Sequence, residues 1–266
     1  MESRPVIDRL NFAKVIAFDA GKILMQHFGH LAGYDHKGKV NLVSAADRAA
    51  DEYLTGRIRG RFPEDAMLAE ESGEYLGSSA YTWIIDPLDG TTNFVHGHPM
   101  FGISLAVAGT DGVDAGVIYL PVTRELFYAV RGGGARGPAG PLQVSAQPDL
   151  SGALSCTGFP YDRREIIDTL LEDVRRLVND CQGFRRMGSA CVDLAYVAAG
   201  RYDCFVERNL KPWDVAAGAL LVTEAGGRMS DFSGGPFDPF GNELVATNGH
   251  VHDEFLKILF ADRPRA

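Results

Sequence analysis

Nowhere in the 266 residues is there an apolar run long enough to cross a membrane. The N-terminus, M-E-S-R-P-V-I-D, lacks the charged start and apolar stretch of an export leader, so neither insertion nor export is expected. Cysteine is scarce. Four residues, Cys156, Cys181, Cys191 and Cys204, occur without C-x-x-C spacing in a chain too long to need covalent staples. That usage points to reduced thiols and a cytoplasmic setting. Positive charge is in deficit, with 26 Lys and Arg against 35 Asp and Glu and a net charge of −9. This balance argues against nucleic acid or an anionic membrane as the main partner. Internal repeats and low-complexity linkers are also missing.

What is present is ample apolar content, 45% of residues, enough for one large core or two smaller ones. Leu10, Ala13, Ile16, Ala17, Ala20 and Leu24 recur at helical spacing and predict a helix from Ile7 to Phe28, stopped by Gly29. A polar, glycine-punctuated stretch follows, G-Y-D-H-K-G-K-V-N-L-V-S, which reads as a mobile hairpin or loop. Its Lys37 and Lys39 are either solvated or available to an anion. Ser44 can cap a second helix, Ala45 to Arg61, with Asp47 in its first turn, a position usually explained by the helix dipole. Met67 to Ala69 reads as a strand running into Glu70-Glu71-Ser72-Gly73-Glu74, where a solvated charge run competes with a functional acid at the strand's end.

Phe101 to Val107, Val113 to Tyr119 and Leu126 to Val130 predict an antiparallel meander. His96 and His98 share a face if extended; zinc needs a third ligand, so a structural role is expected. Arg131 to Gly137 is glycine-rich but leads into no helix, so it reads as a hairpin rather than a phosphate cradle. Beyond about residue 150 strands and helices alternate: Leu154 to Thr157, a helix from Arg163 to Asn179, Phe184 to Met187, a helix opened by Gly188-Ser189-Ala190, and Cys204 to Glu207. A helix beginning at Trp213-Asp214, a strand at Leu244 to Thr247 and a terminal helix from Val251 to Phe260 complete the chain. The expected organisation is one unit over 1–266, with an N-terminal α+β half (1–150) carrying the meander and a C-terminal α/β half (151–266).

The chemistry concentrates in Trp83 to Phe94, W-I-I-D-P-L-D-G-T-T-N-F. Pro87 cannot donate to a ladder, so strand pairing should stop at Asp86. Gly90 permits close backbone approach, and Thr91-Thr92 can open a helix whose free amides form an anion site. Two carboxylates about 4 Å apart repel by about 4 kcal/mol at an effective dielectric near 20, so Asp86 and Asp89 call for a positive partner. All-oxygen ligands favour Mg²⁺ or Mn²⁺. The string alone is equally compatible with a surface turn.

The motifs together resemble the inositol monophosphatases. W-I-I-D-P-L-D-G-T-T-N-F-x-H-G-x-P and W-D-V-A-A-G-x-x-L-V-x-E-A-G-G look like the family's two signatures. L-A-E-E-S-G-E, R-R-M-G-S-A and N-L-V-S-A-A-D resemble its glutamate, glycine–hydroxyl–alanine and N-terminal aspartate segments, in family order. The resemblance implies a layered αβαβα sandwich of the inositol monophosphatase and fructose-1,6-bisphosphatase type. It also implies a Mg²⁺-dependent, lithium-sensitive phosphomonoesterase acting on a small phosphate ester, usually as a homodimer.

Carried over residue by residue, Glu70, Asp86 and the Leu88 carbonyl would hold one ion, Asp86, Asp89 and Asp214 a second, and Glu70 a third, weaker one. Thr91 with Asp47 would orient the attacking water, and the Gly90 and Thr91 amides would meet the phosphate. Gly188, Ser189, Ala190 and Glu207 would meet the alcohol, and Leu88, Asp89 and Asp214 would also border the substrate. Ser189 stands where threonine is frequent, and Asn41 where an acid often precedes the L-V segment; both leave substrate preference open. The rival readings are a fructose-1,6-bisphosphatase, histidinol-phosphatase or nucleotide 3′-phosphatase of the same superfamily, or a non-catalytic role in binding the transcription machinery.

Overall fold

A computed structural model describes residues 4–29, 35–37, 41–43 and 45–260, with side chains described for 4–29 and 45–260. Lys39 and Ser44 lie outside the described residues, as do the side chains of Lys37 and Asn41.

The chain builds five layers. Helices α1 (Arg4–His27) and α2 (Ala45–Arg61) form the first, packed together and against one face of an eight-stranded sheet. That sheet contains β3 (Ala66–Ala69), β4 (Gly73–Tyr75), β5 (Thr82–Asp89), β6 (Gly102–Gly109), β7 (Gly112–Leu120), β8 (Glu125–Val130), β9 (Gly134–Gly137) and β10 (Gly140–Pro141), in the order β10-β9-β8-β7-β6-β5-β3-β4. The hairpin β1 (Asp35–Lys37) and β2 (Asn41–Val43) pairs antiparallel outside it, Asp35 opposite Val43. Helices α5 (Ala190–Ala198) and α6 (Pro212–Glu224) fill the middle layer. A five-stranded sheet follows, ordered β12-β11-β13-β15-β14 from β11 (Leu154–Thr157), β12 (Gly183–Arg185), β13 (Cys204–Arg208), β14 (Arg228–Ser230) and β15 (Glu243–Thr247). Helices α4 (Ile167–Asp180) and α7 (His252–Phe260) cover its outer face. A five-residue helix, α3 (Thr91–Val95), sits directly after β5.

Residue pattern explains position. Helix α1 buries a single stripe, Leu10, Ala13, Ile16, Ala17, Ala20 and Leu24, as an outer-layer helix should. All nine residues of α5 are buried, so it has no solvent face and belongs between two sheets. Strand β5 buries six consecutive residues, Trp83 to Leu88, because its sheet is covered on both faces. Separate apolar clusters lie on the two faces of the large sheet, and a third, around Leu177, Phe255 and Leu259, lies under α4 and α7.

Most predicted elements are found within a few residues, with four differences. Pairing does not stop at Asp86: the register with β6 slips past Pro87 and Leu88 and resumes at Asp89 opposite Gly102. Proline removes one donor, and a bulge absorbs the gap instead of ending the strand. His96 closes α3 and His98 lies in the following turn, so the pair is not on an extended segment. Helix α4 starts at Ile167 rather than Arg163, because turns closed by Arg163 N to Pro160 O and Glu165 N to Asp162 O occupy the approach. Strands β4, inside the acidic run, and β14, directly after a double glycine, are three residues each and offer no pattern long enough to read.

Candidate metal and phosphate site

The bulge in β5 is what builds the site. Continuing the strand through Pro87 and Leu88 carries Asp86 and Asp89 to its end, and Gly90, with φ of 89°, turns the chain into α3. A side chain at Gly90 would be strained at that φ and would also press within 3.1 Å of the Met100 carbonyl and Ser189 Cβ. Asp214, in the first turn of α6, arrives from the other end of the sequence. Carboxylate oxygens of Asp86, Asp89 and Asp214 all lie within 4.8 Å of one another.

The three acids are held differently. Asp214 is the first-turn dipole partner expected of its position: it accepts from the Lys211 backbone N–H at 2.7 Å. It nevertheless converges with the other two. Asp89 Oδ2 accepts from the Cys191 N–H at 2.6 Å and from Ser189 Oγ at 2.9 Å, so the amino end of α5 first serves a carboxylate of the protein itself. Asp86 is 1% exposed; its Oδ1 accepts from the Leu88 N–H at 2.9 Å, while its buried Oδ2 has no hydrogen-bond partner. Burial pushes the Asp86 carboxyl well above the usual range, and the neighbouring charges of Glu70, Asp89, Asp214 and Asp47 push it further. Burial likewise raises Asp214, with Asp89 adding to it, and raises Asp89 despite its donors.

Glu70 continues β3, its N–H donating to the Ile85 carbonyl at 3.1 Å, and lines the same cavity outside the tight trio. Asp47 is buried in the first turn of α2. Thr91 Oγ1 donates to the Leu88 carbonyl at 3.0 Å, which joins two residues expected to do separate jobs. The cavity, about 960 Å³, is also lined by Gly90, Gly188, Ser189, Ala190, Glu207 and Trp213. Glu207 is 8% exposed on β13; burial raises its carboxyl well above the usual range, and Asp193 and Asp89 add to the rise.

An acid cluster in which the deepest oxygen lacks any donor fits a hard divalent cation. The ligands are all oxygen, the carboxylates are desolvated, and a positive ion supplies the partner that Asp86 Oδ2 otherwise lacks.

Three supporting residues escaped the sequence reading. Asn93 Nδ2 donates to the carbonyls of Met100 (2.6 Å) and Met187 (2.8 Å), tying α3 to the loop that delivers Gly188. Gly158 lies against Glu207 so closely that a methyl group there would overlap the carboxylate. Tyr161 faces the acid cluster; burial, then Glu70 and the aspartates, push its phenol upward. Gly158, two residues before Pro160, reads in the sequence only as the end of a strand.

Comparison with known proteins identifies the family. A profile of the Inositol monophosphatase family matches residues 8–262. The chain belongs to the inositol monophosphatase family. The Escherichia coli K12 protein named Nus factor SuhB is 42% identical over 245 residues, covering 91% of this chain and 92% of that protein. Inositol-1-monophosphatase of a Synechocystis species is 40% identical, covering 95% and 88%. The crystal structure of extragenic suppressor protein suhB from Bartonella henselae superposes with a TM-score of 0.92 at 39% identity, covering 96% of this chain and all of that one. The layered αβαβα architecture is therefore the family's own, and the acid cluster lies in a family member.

Proposed function

We propose that this inositol monophosphatase family member is a Mg²⁺-dependent phosphomonoesterase that releases inorganic phosphate from inositol 1-phosphate or a related polyol phosphate. The observation that carries the reading is Asp86 Oδ2, buried without a donor in a trio assembled from β5 and α6 and open to a substrate-sized cavity. Glu70, Asp86 and the Leu88 carbonyl are assigned to one ion, Asp86, Asp89 and Asp214 to a second, and Glu70 to a weaker third. Mg²⁺ or Mn²⁺ at such sites supplies an acidified water and neutralises phosphoryl charge during in-line hydrolysis.

The remaining steps belong to the chain's own groups. Thr91 Oγ1 spends its proton on the Leu88 carbonyl, so its lone pairs are free to accept from the attacking water and fix its orientation. Passing the proton to Asp47 requires that hydroxyl to turn; such general-base help is typically worth about 10² to 10⁴-fold. The Gly90 and Thr91 amides, at the start of α3, are assigned to a phosphate oxygen. Gly188, Ser189 and Ala190 border the alcohol. Glu207, desolvated and aimed into the cavity, accepts from sugar-like hydroxyls and disfavours apolar alcohols.

The test is phosphate release from a panel of esters with Mg²⁺, with and without lithium, repeated with Asp89→Asn. Loss of Mg²⁺-dependent release with the circular dichroism spectrum retained is expected. A fully active Asp89→Asn enzyme would remove Asp89 from the metal site. The name Nus factor on the Escherichia coli relative favours a second reading, a binding role within the transcription machinery. RNA polymerase subunits that co-purify with both wild type and Asp89→Asn would support it, since binding would then be independent of the acid cluster.

A further inference from the structure

Three cations line the same cavity and have no part in the reading above: Arg163, Arg186 and Lys211. Six acids share that lining, yet none of the three makes an ion pair with any described carboxylate. Asn209 adopts a left-handed backbone (φ of 59°) and its Nδ2 donates to Asp162 at 2.7 Å. This contact staples the loop that carries Arg163 to the loop that carries Lys211. Arg186 lies 5.4 Å from the Phe159 ring centroid and packs across Gly188, at the end of the cavity assigned to the alcohol. Glu70, Asp86, Asp89 and Asp214 gather at the metal-binding end, while Glu207 shares the alcohol end with Arg186, whose charge opposes the rise of its carboxyl.

We propose that Arg163, Arg186 and Lys211 form a subsite for a second anionic group carried by the alcohol of the substrate. This deepens the phosphatase reading and rests on it. A neutral polyol offers these cations only hydroxyl acceptors. A phosphate or carboxylate on the far end of the alcohol offers charge-assisted hydrogen bonds, and guanidinium groups match such oxyanions in a two-point geometry. The preferred substrates are thus phosphate esters with an anion at each end: the first phosphoryl at the acid cluster, the second group at the cavity mouth.

A matched set of hexitol esters tests this on the Mg²⁺-loaded full-length enzyme: glucitol 6-phosphate, 6-phosphogluconate and glucitol 1,6-bisphosphate. All three carry the C6 phosphate and differ at C1, so the last two arms separate a carboxylate from a phosphate, with release from C6 of the bisphosphate identified by its glucitol 1-phosphate product. Wild type should show kcat/KM about tenfold or more higher for at least one doubly anionic ester than for glucitol 6-phosphate, carried by KM, and added salt should shrink the gap. Arg163→Gln, Arg186→Gln and Lys211→Gln, made singly, should narrow that ratio, and Arg186→Lys should keep part of it. A wild-type ratio near one with glucitol 6-phosphate turned over overturns the subsite alone. Equal losses on all three esters in every variant also overturn it. No Mg²⁺-dependent release from any ester overturns the phosphatase reading and this subsite with it.

Discussion

Asp65 and Asp86 are two aspartates buried to 2% and 1% exposure beside neighbouring strands of one sheet, and the protein treats them in opposite ways. Asp65 is saturated. It accepts from Arg9 Nε at 2.8 Å and Nη2 at 2.7 Å, from Ser79 Oγ at 2.7 Å and from Trp83 Nε1 at 2.9 Å. Arg9 is itself sandwiched by Tyr81 and Phe62, 3.9 and 4.7 Å from their ring centroids. Burial alone would raise the Asp65 carboxyl, but these donors hold it below the ordinary value. Asp86 has a single donor, four acidic neighbours and one oxygen with no partner. One acid fastens α1 to the strand that carries the motif; the other is left unmet at that strand's end. A buried carboxylate is therefore a structural pin or a ligand site according to its donors, and burial alone does not tell them apart.

The largest effect should come from separating these roles by mutation. Asp86→Asn is expected to lower Mg²⁺-dependent phosphate release by more than ~10²-fold, since losing even an outer-sphere partner of a metal ligand costs that order. Its chemical denaturation midpoint without metal should not fall, because the amide removes a buried charge. Asp65→Ala should do the reverse. It strands Arg9 without its partner and should cost about 3–5 kcal/mol of stability, a large share of a typical 5–15 kcal/mol, with kcat per folded molecule nearly kept. Urea unfolding and turnover measured on the same preparations would decide, and a stable Asp65→Ala would show that the pin is ornamental.

pH should read the same contrast with opposite signs. Asp65 has a lowered folded pKa, so its stabilisation is present above the ordinary carboxylate value near 4 and is lost as pH falls through the folded value. Asp86, Asp89 and Asp214 have raised folded values, so the metal-free protein is helped by them below about pH 4 and loses that help as pH rises. In EDTA the melting temperature should thus decline as pH rises toward neutral. Mg²⁺ should reverse it, adding about 2.7 kcal/mol at a hundred times its Kd. Asp86→Asn should flatten the decline and blunt the Mg²⁺ response. A wild-type protein whose melting point ignores both EDTA and Mg²⁺ would contradict the metal reading.

How much of this was legible before any coordinates follows from the range of each interaction. Local patterns gave α1, α2, the meander and the second half's alternation, because a helical stripe or a strand's alternation is written in consecutive residues. The convergence of Glu70, Asp86, Asp89 and Asp214 followed only from the resemblance; composition and spacing left Asp86 and Asp89 equally readable as a turn. The bulge at Pro87 is not legible in the sequence because proline removes a donor without dictating whether the strand ends or skips. Asn93, Gly158 and the staple from Asn209 to Asp162 were invisible because each acts on a segment distant in sequence.

Glu207 offers the smallest and most discriminating test of the comparison between saturated and unmet acids. It is buried like Asp65, yet among the described residues it has no hydrogen-bond donor, which places it with Asp86 as a group kept for a ligand. Gly158 leaves room for it, since a methyl there would overlap the carboxylate and displace it. Gly158→Ala should therefore raise KM for inositol 1-phosphate by about tenfold, the cost of misplacing one hydrogen-bonding group, while p-nitrophenyl phosphate, which offers no hydroxyl to Glu207, changes much less. Glu207→Gln should give the same split, and the double variant should be less than additive because both changes act on one carboxylate. Additive losses, or equal losses on both esters, would instead make Glu207 a structural acid of the Asp65 kind.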